Sequence, residues 1–398
     1  MPDTSPVSDI NRVHTARSSF GILICEREGY PPFAESSYLK RLSLLGPALG
    51  LQTFAFDPLT WDQEDDSVKC WSWNSRMRKW EASRRKFPDI AYDRAWPETK
   101  EEKRRYRLAM GRIRAYRRFV LLSGNLPHKA KVYEMLARDR EIAAIIPPTV
   151  RYRGPSSLAS WLQKHRPGVF LKPIAGSQGK RVVAVVQAAD GTVELTGRHG
   201  DNRPLFRSCA SETEALNRLN KWIGGRTYIM QPLLNLRGNS GEAFDLRVLM
   251  QKDSNGRWSL TGAAARIGAP GSVTANLHGG GTATAAAETL VSLFGRPRGN
   301  ELIQEIDKFS YLIAVRLEQS FGRFAEIGLD YGIERNGKLW FLEANSKPGR
   351  AAMIPVGRDA AIAAAAQPLS YAKFILLRLA TTDARRLPRE SAALHLGG

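Results

Sequence analysis

The sequence predicts a mixed α/β protein built from more than one domain. Near the N-terminus, an apolar run at 20–25 is followed by apolar residues at helical spacing and by a second apolar run at 51–56. This strand, helix, strand order is typical of a parallel, Rossmann-like sheet. Near the C-terminus, apolar runs at 324–332 and 339–345 flank an Asn-Gly dipeptide, which predicts an antiparallel hairpin. At 398 residues the chain is long enough for two or three domains of about 150 residues each.

Apolar periodicity and turn residues predict the other elements in order. The expected helices are 36–49, 129–139, 211–223 and 301–320, and the further expected strands are 90–92, 169–173 and 181–186. The last two strands flank a glycine-rich loop, 174–180. This loop is not a P-loop, because Ile174 stands where the first glycine is required and a strand, not a helix, follows. No Gly-x-Gly-x-x-Gly follows the first strand, so a dinucleotide site is not expected there.

Composition and cysteine usage favour a globular protein of a reducing, cytoplasmic compartment. Apolar residues make up 43% and charged residues 25% of the chain, and its three cysteines are far apart. The first residues lack a basic region followed by an apolar run, so no signal peptide is expected. The most apolar segment, 360–379, is interrupted by charged residues and a proline. It predicts an amphipathic terminal helix and no membrane span.

About half of the net charge of +20 comes from one block, because Arg76 to Arg118 carries 16 Lys and Arg against 6 Asp and Glu. Trp80, Tyr106 and Tyr116 lie between these basic residues. Basic residues interleaved with aromatics are a footprint for polyanions, including nucleic acid. The same field would steer an acidic small molecule, peptide or polymer substrate. A solvated helical face is the third interpretation.

Oxygen-bearing side chains gather on the predicted C-terminal hairpin. Asp330 lies on its first strand, and Glu343 and Asn345 lie two apart on the second. Side chains alternate along a strand, so Glu343 and Asn345 share a face that Asp330 can join. Such hard oxygen ligands hold Mg²⁺ together with substrate phosphates. The alternative is an ordinary exposed polar face of a two-stranded ribbon; as metal ligands, these groups are expected at a solvent-accessible cleft.

Six motifs in a fixed order make the chain similar to the ATP-grasp superfamily. They are Lys129, Lys172 with its glycine-rich loop, Phe244-Asp-Leu-Arg247, Asn276-Leu-His-Gly-Gly280, Asp330 and Glu343-x-Asn345. The segments 265–280 and 341–350 most resemble the YheC/YheD branch, whose members are described as endospore coat-associated. They are also similar to the glutamate ligase that extends the C-terminus of a ribosomal protein. The resemblance covers about residues 18–380.

The resemblance implies ATP and two Mg²⁺ ions as cofactors, with Mn²⁺ as an alternative metal. For the nucleotide, it implies α/β-phosphate contacts by Lys129 and Lys172, and cover of the phosphates by Gly176, Ser177, Gln178 and Gly179. It also implies adenine contacts by backbone groups at Gln231 and Leu233 and a ribose contact by Asp245. Arg247, Arg266 and Asn276 would stabilise the transferring phosphoryl group, and Asp330, Glu343 and Asn345 would bind the metal ions. In the hinge, Pro232 stands where many relatives carry Glu, and proline has no N–H to donate.

Several of these residues have a structural alternative. Asp245 and Arg247 would form a surface ion pair, Arg266 would share their solvated face, and Asn276 would make a turn. Lys129 lies in a polar stretch and fits a solvated face equally well. Lys347 and Arg350 would bind a substrate anion or remain solvated.

The resemblance thus predicts an ATP-grasp fold within the mixed α/β (α+β) class. The expected division is a disordered N-terminus at 1–17, a Rossmann-like domain at 18–122, a lid at 123–228, a C-terminal α+β subdomain at 229–380 and a flexible tail at 381–398. ATP and Mg²⁺ would lie between the lid and the C-terminal subdomain. The expected activity is ATP-dependent ligation of a carboxylate to an amine or thiol through an acyl phosphate. The alternatives are a degenerate nucleotide-binding protein with a structural role in the spore coat or an assembly, and a nucleic-acid-binding protein.

Overall fold

A computed structural model of the protein describes residues 18–386, apart from 177–178, 239–240, 269–274 and 276–280. The chain divides into two compact units. The N-terminal unit contains the chain up to Leu122, Ser254–Gly256 and the chain from Ala365 onwards, and the second unit contains Ser123–Asp253 and Arg257–Ala364. The predicted division at 122, 228 and 380 stays a prediction.

One six-stranded sheet forms the N-terminal unit. Its strands are β1 (Ser18–Leu23), β2 (Leu51–Phe56), β3 (Ser67–Asn74), β4 (Lys79–Lys86), β5 (Ile90–Asp93) and β6 (Val120–Leu121), in the order β4-β3-β2-β1-β5-β6. β1 pairs in parallel with β2 and β5, and β5 pairs in parallel with β6, as the strand, helix, strand pattern predicts. The β3–β4 hairpin extends the sheet in the antiparallel sense, which the sequence patterns do not predict.

Two helices, α1 (Ser36–Leu45) and α2 (Lys100–Tyr116), complete this part of the chain. The Thr99 hydroxyl accepts a hydrogen bond from the Glu102 N–H at 3.0 Å and so caps α2. Met110 and Ile113 of α2 pack in one core cluster with the aromatic residues of β2. Met110 and Ile113 are therefore buried, and the basic residues of α2 are exposed.

The second unit contains two antiparallel sheets. The β8 sheet consists of β7 (Val150–Arg151), β8 (Gly168–Pro173), β9 (Val183–Gln187), β10 (Val193–Arg198), β11 (Pro204–Cys209) and β12 (Tyr228–Pro232), in the order β11-β10-β9-β8-β12-β7. The β13 sheet consists of β13 (Phe244–Lys252), β14 (Trp258–Ile267), β15 (Thr282–Ala285), β16 (Glu326–Ile333) and β17 (Leu339–Asn345), in the order β15-β14-β13-β16-β17. With its parallel and antiparallel sheets and its helices, the chain confirms the predicted mixed α/β class.

Helices cover both sheets of the second unit. They are α3 (Lys129–Leu136), α4 (Arg140–Ala143), α5 (Pro155–Lys164), α6 (Glu212–Ile223) and α7 (Ala286–Phe321). α7 begins earlier than the predicted helix at 301 and is broken at Gly295, whose φ of 76° is left-handed. α5 and α6 pack on the β8 sheet, and α3, α4 and α7 share one core cluster with the β13 sheet.

The last helix, α8 (Arg358–Arg386), is the predicted apolar terminal helix. Among the described residues, its segment Arg358–Thr381 is the one that is long and apolar enough to cross a membrane, and 39% of its most apolar window is buried in the protein. Core helices of proteins without a membrane span have the same length and composition. The amphipathic interpretation therefore stays a prediction.

Candidate active site

Three charged residues form a row across the β13 sheet. Asp330 of β16 lies opposite Arg247 of β13 on one side and opposite Glu343 of β17 on the other. Asn345 follows Glu343 by two residues and donates its amide N–H to a Glu343 carboxylate oxygen at 3.3 Å. The hairpin thus brings the three predicted metal ligands together, as the alternation of side chains requires.

Two arginines hold the Asp330 carboxylate from neighbouring strands. Arg247 donates two hydrogen bonds to it, one of them at 2.9 Å, and Arg266 of β14 donates another at 3.0 Å. Arg266 also donates twice to Asp245, at 2.6 and 2.7 Å. Asp330 is 4% exposed and Arg266 is 5% exposed. The surface ion pair and the solvated face considered for these residues are therefore wrong, and Asp330 is more buried than a residue expected at a solvent-accessible cleft.

Lys129 and Lys172 reach the same hairpin from outside the β13 sheet. Lys129, the first residue of α3, places its ammonium 2.6 Å from a Glu343 carboxylate oxygen. Lys172, on β8, is 7% exposed and donates to the carbonyl oxygen of Leu342 at 3.2 Å. The solvated alternative for Lys129 is wrong, since its side chain is ion-paired and only 22% exposed.

The charges in this cluster shift one another's pKa. Burial alone would raise the pKa of Asp330, but Arg247 and Arg266 outweigh it and lower that pKa to about 2. Burial likewise opposes ionisation of Glu343, yet Lys129 beside it lowers its pKa. Burial, with Lys129 nearby, lowers the pKa of Lys172 to about 7 against the attraction of the two carboxylates. Both carboxylates are therefore ionised at neutral pH, whereas burial disfavours the charged form of Lys172.

The carboxylates differ in their remaining capacity for a metal. An ionised carboxylate has about four lone-pair sites, and Asp330 uses three of them on the arginines. Glu343 accepts from Lys129 and Asn345 and keeps about two sites. No group of three or more His, Cys, Asp or Glu suited to a metal occurs in the described part of the chain. The donor set of two carboxylates and one amide fits Mg²⁺, which completes its shell with phosphates and water, and Glu343 is its more open member.

Sequence reasoning missed Tyr133 and the carbonyl of Leu342. β16 and β17 slip register after Asp330, so Leu342 is the extra residue of a β-bulge. Tyr133 of α3 donates its hydroxyl to the Leu342 carbonyl and accepts from Lys172 at 2.5 Å. The spacing from Lys129 to Tyr133 places both on one face of α3 and was a usable signal. The bulge has no comparable local signal.

The glycine-rich loop and the hinge are described only in part. Gly176 and Gly179 have φ of 135° and 65°, conformations that glycine adopts without strain. Ser177, Gln178 and Asn276 lie outside the described residues.

At the hinge, Gln231 is buried and donates to the Thr149 hydroxyl at 2.8 Å. The Leu233 N–H donates to the Gly168 carbonyl at 2.9 Å. That N–H is thus already used within the protein, so the proposed adenine contact of Leu233 would fall to its carbonyl.

Arg350 is ion-paired and only 13% exposed, so the solvated alternative considered for it is wrong. Its guanidinium pairs with Glu326, a fully buried carboxylate that also accepts from Gln251 at 2.9 Å. Because Arg350 follows β17 closely, this ion pair fastens the segment that leaves the hairpin. Binding of a substrate anion by Arg350 stays a prediction.

The basic block of the N-terminal unit is formed by β4 and α2. Trp80 is 5% exposed and packs edge-on against Phe33, and Tyr106 packs against the buried core cluster. Arg117 is ion-paired with Asp66 and, at 3.0 Å, with Asp89. Two of the three aromatic residues are thus packed in the core and are not free to stack on bases. The case for nucleic-acid binding therefore depends mainly on the positive charge of the block.

Similarity to known proteins agrees with the resemblance noted in the motifs. A family model for the YheC/D like ATP-grasp family matches residues 119–375. The endospore coat-associated protein YheC of Bacillus subtilis (strain 168) is 24% identical over 359 residues, which cover 90% of this chain and 96% of YheC. The endospore coat-associated protein YheD of the same strain is 25% identical over 324 residues, which cover 80% of this chain and 69% of YheD.

Solved structures share the fold at low identity. The ATP-grasp ligase PsnB, complexed with a phosphomimetic variant of its minimal precursor, Mg and ADP, superposes with a TM-score of 0.54 at 12% identity, covering 90% of this chain and 99% of PsnB. D-cycloserine synthetase DcsG superposes with a TM-score of 0.52 at 13% identity and the same coverage. These likenesses concern the fold alone. Because the family model spans more than half of the sequence, the chain belongs to the YheC/D-like ATP-grasp family.

Proposed function

We propose that this protein is an ATP-dependent ligase that joins a carboxylate to an amine or thiol. The observation that carries the proposal is the convergence of four cationic side chains on the row of acidic residues in the β13 sheet. The cations are Lys129, Lys172, Arg247 and Arg266, and the acids are Asp245, Asp330 and Glu343. Such a cluster is costly to bury. A polyphosphate with its metal ions would use both signs of charge.

The residues divide the work by their position. Lys129 and Lys172 approach from α3 and β8 and would hold the α- and β-phosphates. Glu343, with Asn345 and the remaining site of Asp330, would hold Mg²⁺, which neutralises phosphate charge and orients the γ-phosphate. Arg247 and Arg266 are kept in place by Asp330, so the N–H groups that they do not use on carboxylates would stabilise the transferred phosphoryl group without reorganisation.

The reaction would proceed in two steps. An oxygen of the substrate carboxylate attacks the γ-phosphorus, the bond to the β-phosphate oxygen breaks, and ADP leaves. The amine or thiol then attacks the carbonyl carbon of the acyl phosphate, loses its proton, and inorganic phosphate departs. Positioning and charge neutralisation dominate the first step, since phosphoryl transfer demands little covalent help from the protein.

The second candidate is a nucleotide-binding component of an assembly, without turnover. The names of the two Bacillus relatives favour it, since both are described as endospore coat-associated. The buried ion pairs favour the enzyme instead, because a structural part gains little from ionised groups that are costly to desolvate.

Mass spectrometry of the reaction products distinguishes the ligase from the nucleotide-binding component of an assembly. The wild-type protein is incubated with ATP, Mg²⁺ and pooled amino acids, peptides and cell-wall precursors. The ligase predicts a product with the mass of the acid plus the nucleophile minus water, formed together with equal amounts of ADP and phosphate. Glu343→Gln should abolish it, whereas Glu334→Gln, the same change at the turn of the same hairpin, should retain it. Nucleotide binding with no ADP formed in any pool would overturn the ligase in favour of the structural candidate.

A further inference from the structure

One tyrosine hydroxyl connects three elements at the centre of the candidate site. Tyr133 of α3 donates to the Leu342 carbonyl of β17 and accepts a hydrogen bond from Lys172 of β8 at 2.5 Å. Lys172 donates to the same carbonyl at 3.2 Å. Hydroxyl, ammonium and carbonyl therefore form a closed triangle in a part of the protein that water scarcely reaches.

This triangle determines how Lys172 is held. A lysine ammonium has three N–H donors, and Tyr133 and Leu342 take two of them. The ammonium also lies over the tyrosine ring, 4.8 Å from its centroid. One donor remains for a ligand, and the two protein acceptors fix its direction.

We propose that Tyr133 is a positioning residue that holds the Lys172 ammonium in the pose that binds a nucleotide phosphate. The inference rests on the proposed function, and it adds a residue that touches neither phosphate nor metal. Its hydrogen bond with Lys172 orients the ammonium towards the nucleotide. Its hydrogen bond to the Leu342 carbonyl ties it to the metal ligands, since Leu342 directly precedes Glu343.

Two further observations support this role. The bulge removes Leu342 from the regular pairing of β16 and β17, so its carbonyl is available to side chains. Lys172 is 7% exposed, so the Tyr133 hydroxyl and the Leu342 carbonyl replace water around its charged form. A neutral amine binds a phosphate less strongly than an ammonium.

Tyr133→Phe tests the hydroxyl alone, because it keeps the ring and its edge-on packing against Phe341, with ring centroids 6.0 Å apart. Tyr152→Phe is the matched control: it removes another hydroxyl of the second unit, which donates to the Asn220 side chain at 3.0 Å. Calorimetric titration with Mg·ADP and with adenosine reports the phosphate-dependent and phosphate-independent parts of binding. Thermal unfolding of both variants checks that each is folded.

The expected result is selective. Tyr133→Phe should bind Mg·ADP about tenfold more weakly, equivalent to about 1.4 kcal/mol, with adenosine affinity within about twofold of the wild type. Tyr152→Phe should match the wild type for both ligands. In a Lys172→Ala background, Tyr133→Phe should have almost no further effect on ADP, because the hydroxyl acts through the ammonium.

Unchanged ADP affinity in Tyr133→Phe would overturn this inference alone. Equal losses for ADP and adenosine would also overturn it, since they indicate general loosening of the unit. Failure of the wild-type protein to bind Mg·ADP would instead overturn the proposed function, and the inference with it.

Discussion

Asp330→Asn is expected to destabilise the second unit, and the equivalent change Glu343→Gln should destabilise it much less. Asp330 is almost fully buried and accepts hydrogen bonds from both Arg247 and Arg266. Removing one partner of a buried ion pair costs about 3–5 kcal/mol, because the other charge stays buried. Glu343 has one ion pair, with Lys129, and both side chains are about one-fifth exposed, so about 1 kcal/mol is at stake there.

The pKa of Asp330 gives a second measure of the same energy. A value of about 2, against 3.8 for a free carboxyl, corresponds to about 2 kcal/mol. Because the folded pKa is the lower one, this stabilisation is present above about pH 4 and is lost as the pH falls towards 2. At neutral pH the wild type therefore has all of it, and Asp330→Asn should cost about 2–5 kcal/mol.

Thermal unfolding at pH 7 in EDTA, followed by circular dichroism, measures the difference. One kcal/mol shifts the Tm of a unit of this size by about 2–4 °C, so Asp330→Asn should unfold roughly 10 °C lower than the wild type. Glu343→Gln should lie within about 4 °C of it. Both should lose Mg²⁺-dependent ADP formation. Equal Tm values for the two variants would refute the assignment of Asp330 as the buried anchor of the arginines.

The remaining predictions concern the phosphate contacts and the basic block. Lys172→Ala should lower turnover and ATP affinity at least tenfold. Lys180→Ala, at the exposed end of the glycine-rich loop, should change ATP affinity less than twofold. Equal effects of the two changes in a steady-state titration with ATP would contradict the phosphate contact of Lys172. Replacing the exposed Arg105, Arg107 and Arg112 by Gln should raise the KM for an acidic acceptor at low salt and leave the Kd for ADP unchanged. If the triple variant handles its acceptor like the wild type at low salt, the block is only a solvated face; tight, salt-sensitive binding of generic DNA without ATP would instead indicate nucleic acid.

Local sequence patterns were sufficient for much of the fold. The strand Leu51–Phe56 begins and ends where its apolar run does, and the α6 helix starts after Ser211, whose hydroxyl accepts from the Glu214 N–H. Such signals are local, since they depend on neighbours within a few residues. The basic strand Lys79–Lys86 has a poor apolar pattern and was therefore not predicted. It forms because it pairs with β3, which local patterns do not show.

The sequence was enough to place the three oxygen-bearing residues of the hairpin together, but not to give their hydrogen bonds or the part of Tyr133. The alternation of side chains brings Asp330, Glu343 and Asn345 together. The partners of Asp330 come from 83 and 64 residues away, so their pairing depends on the order of strands in the sheet. The bulge at Leu342 could not be predicted from the sequence either. A register slip is defined by how two strands pair, and the sequence of one strand does not show it.

The most direct test of the Mg²⁺–nucleotide site is metal binding itself, with Mn²⁺ as a paramagnetic substitute for Mg²⁺. Titration of the wild-type protein with Mn²⁺ in the presence and absence of ADP, followed by electron paramagnetic resonance, reports the bound and free metal. We expect ADP-dependent Mn²⁺ binding to the wild type and to Glu334→Gln, with affinity at least tenfold lower in Glu343→Gln. Equal Mn²⁺ affinity in Glu343→Gln and the wild type, or no effect of ADP on either, would contradict this expectation.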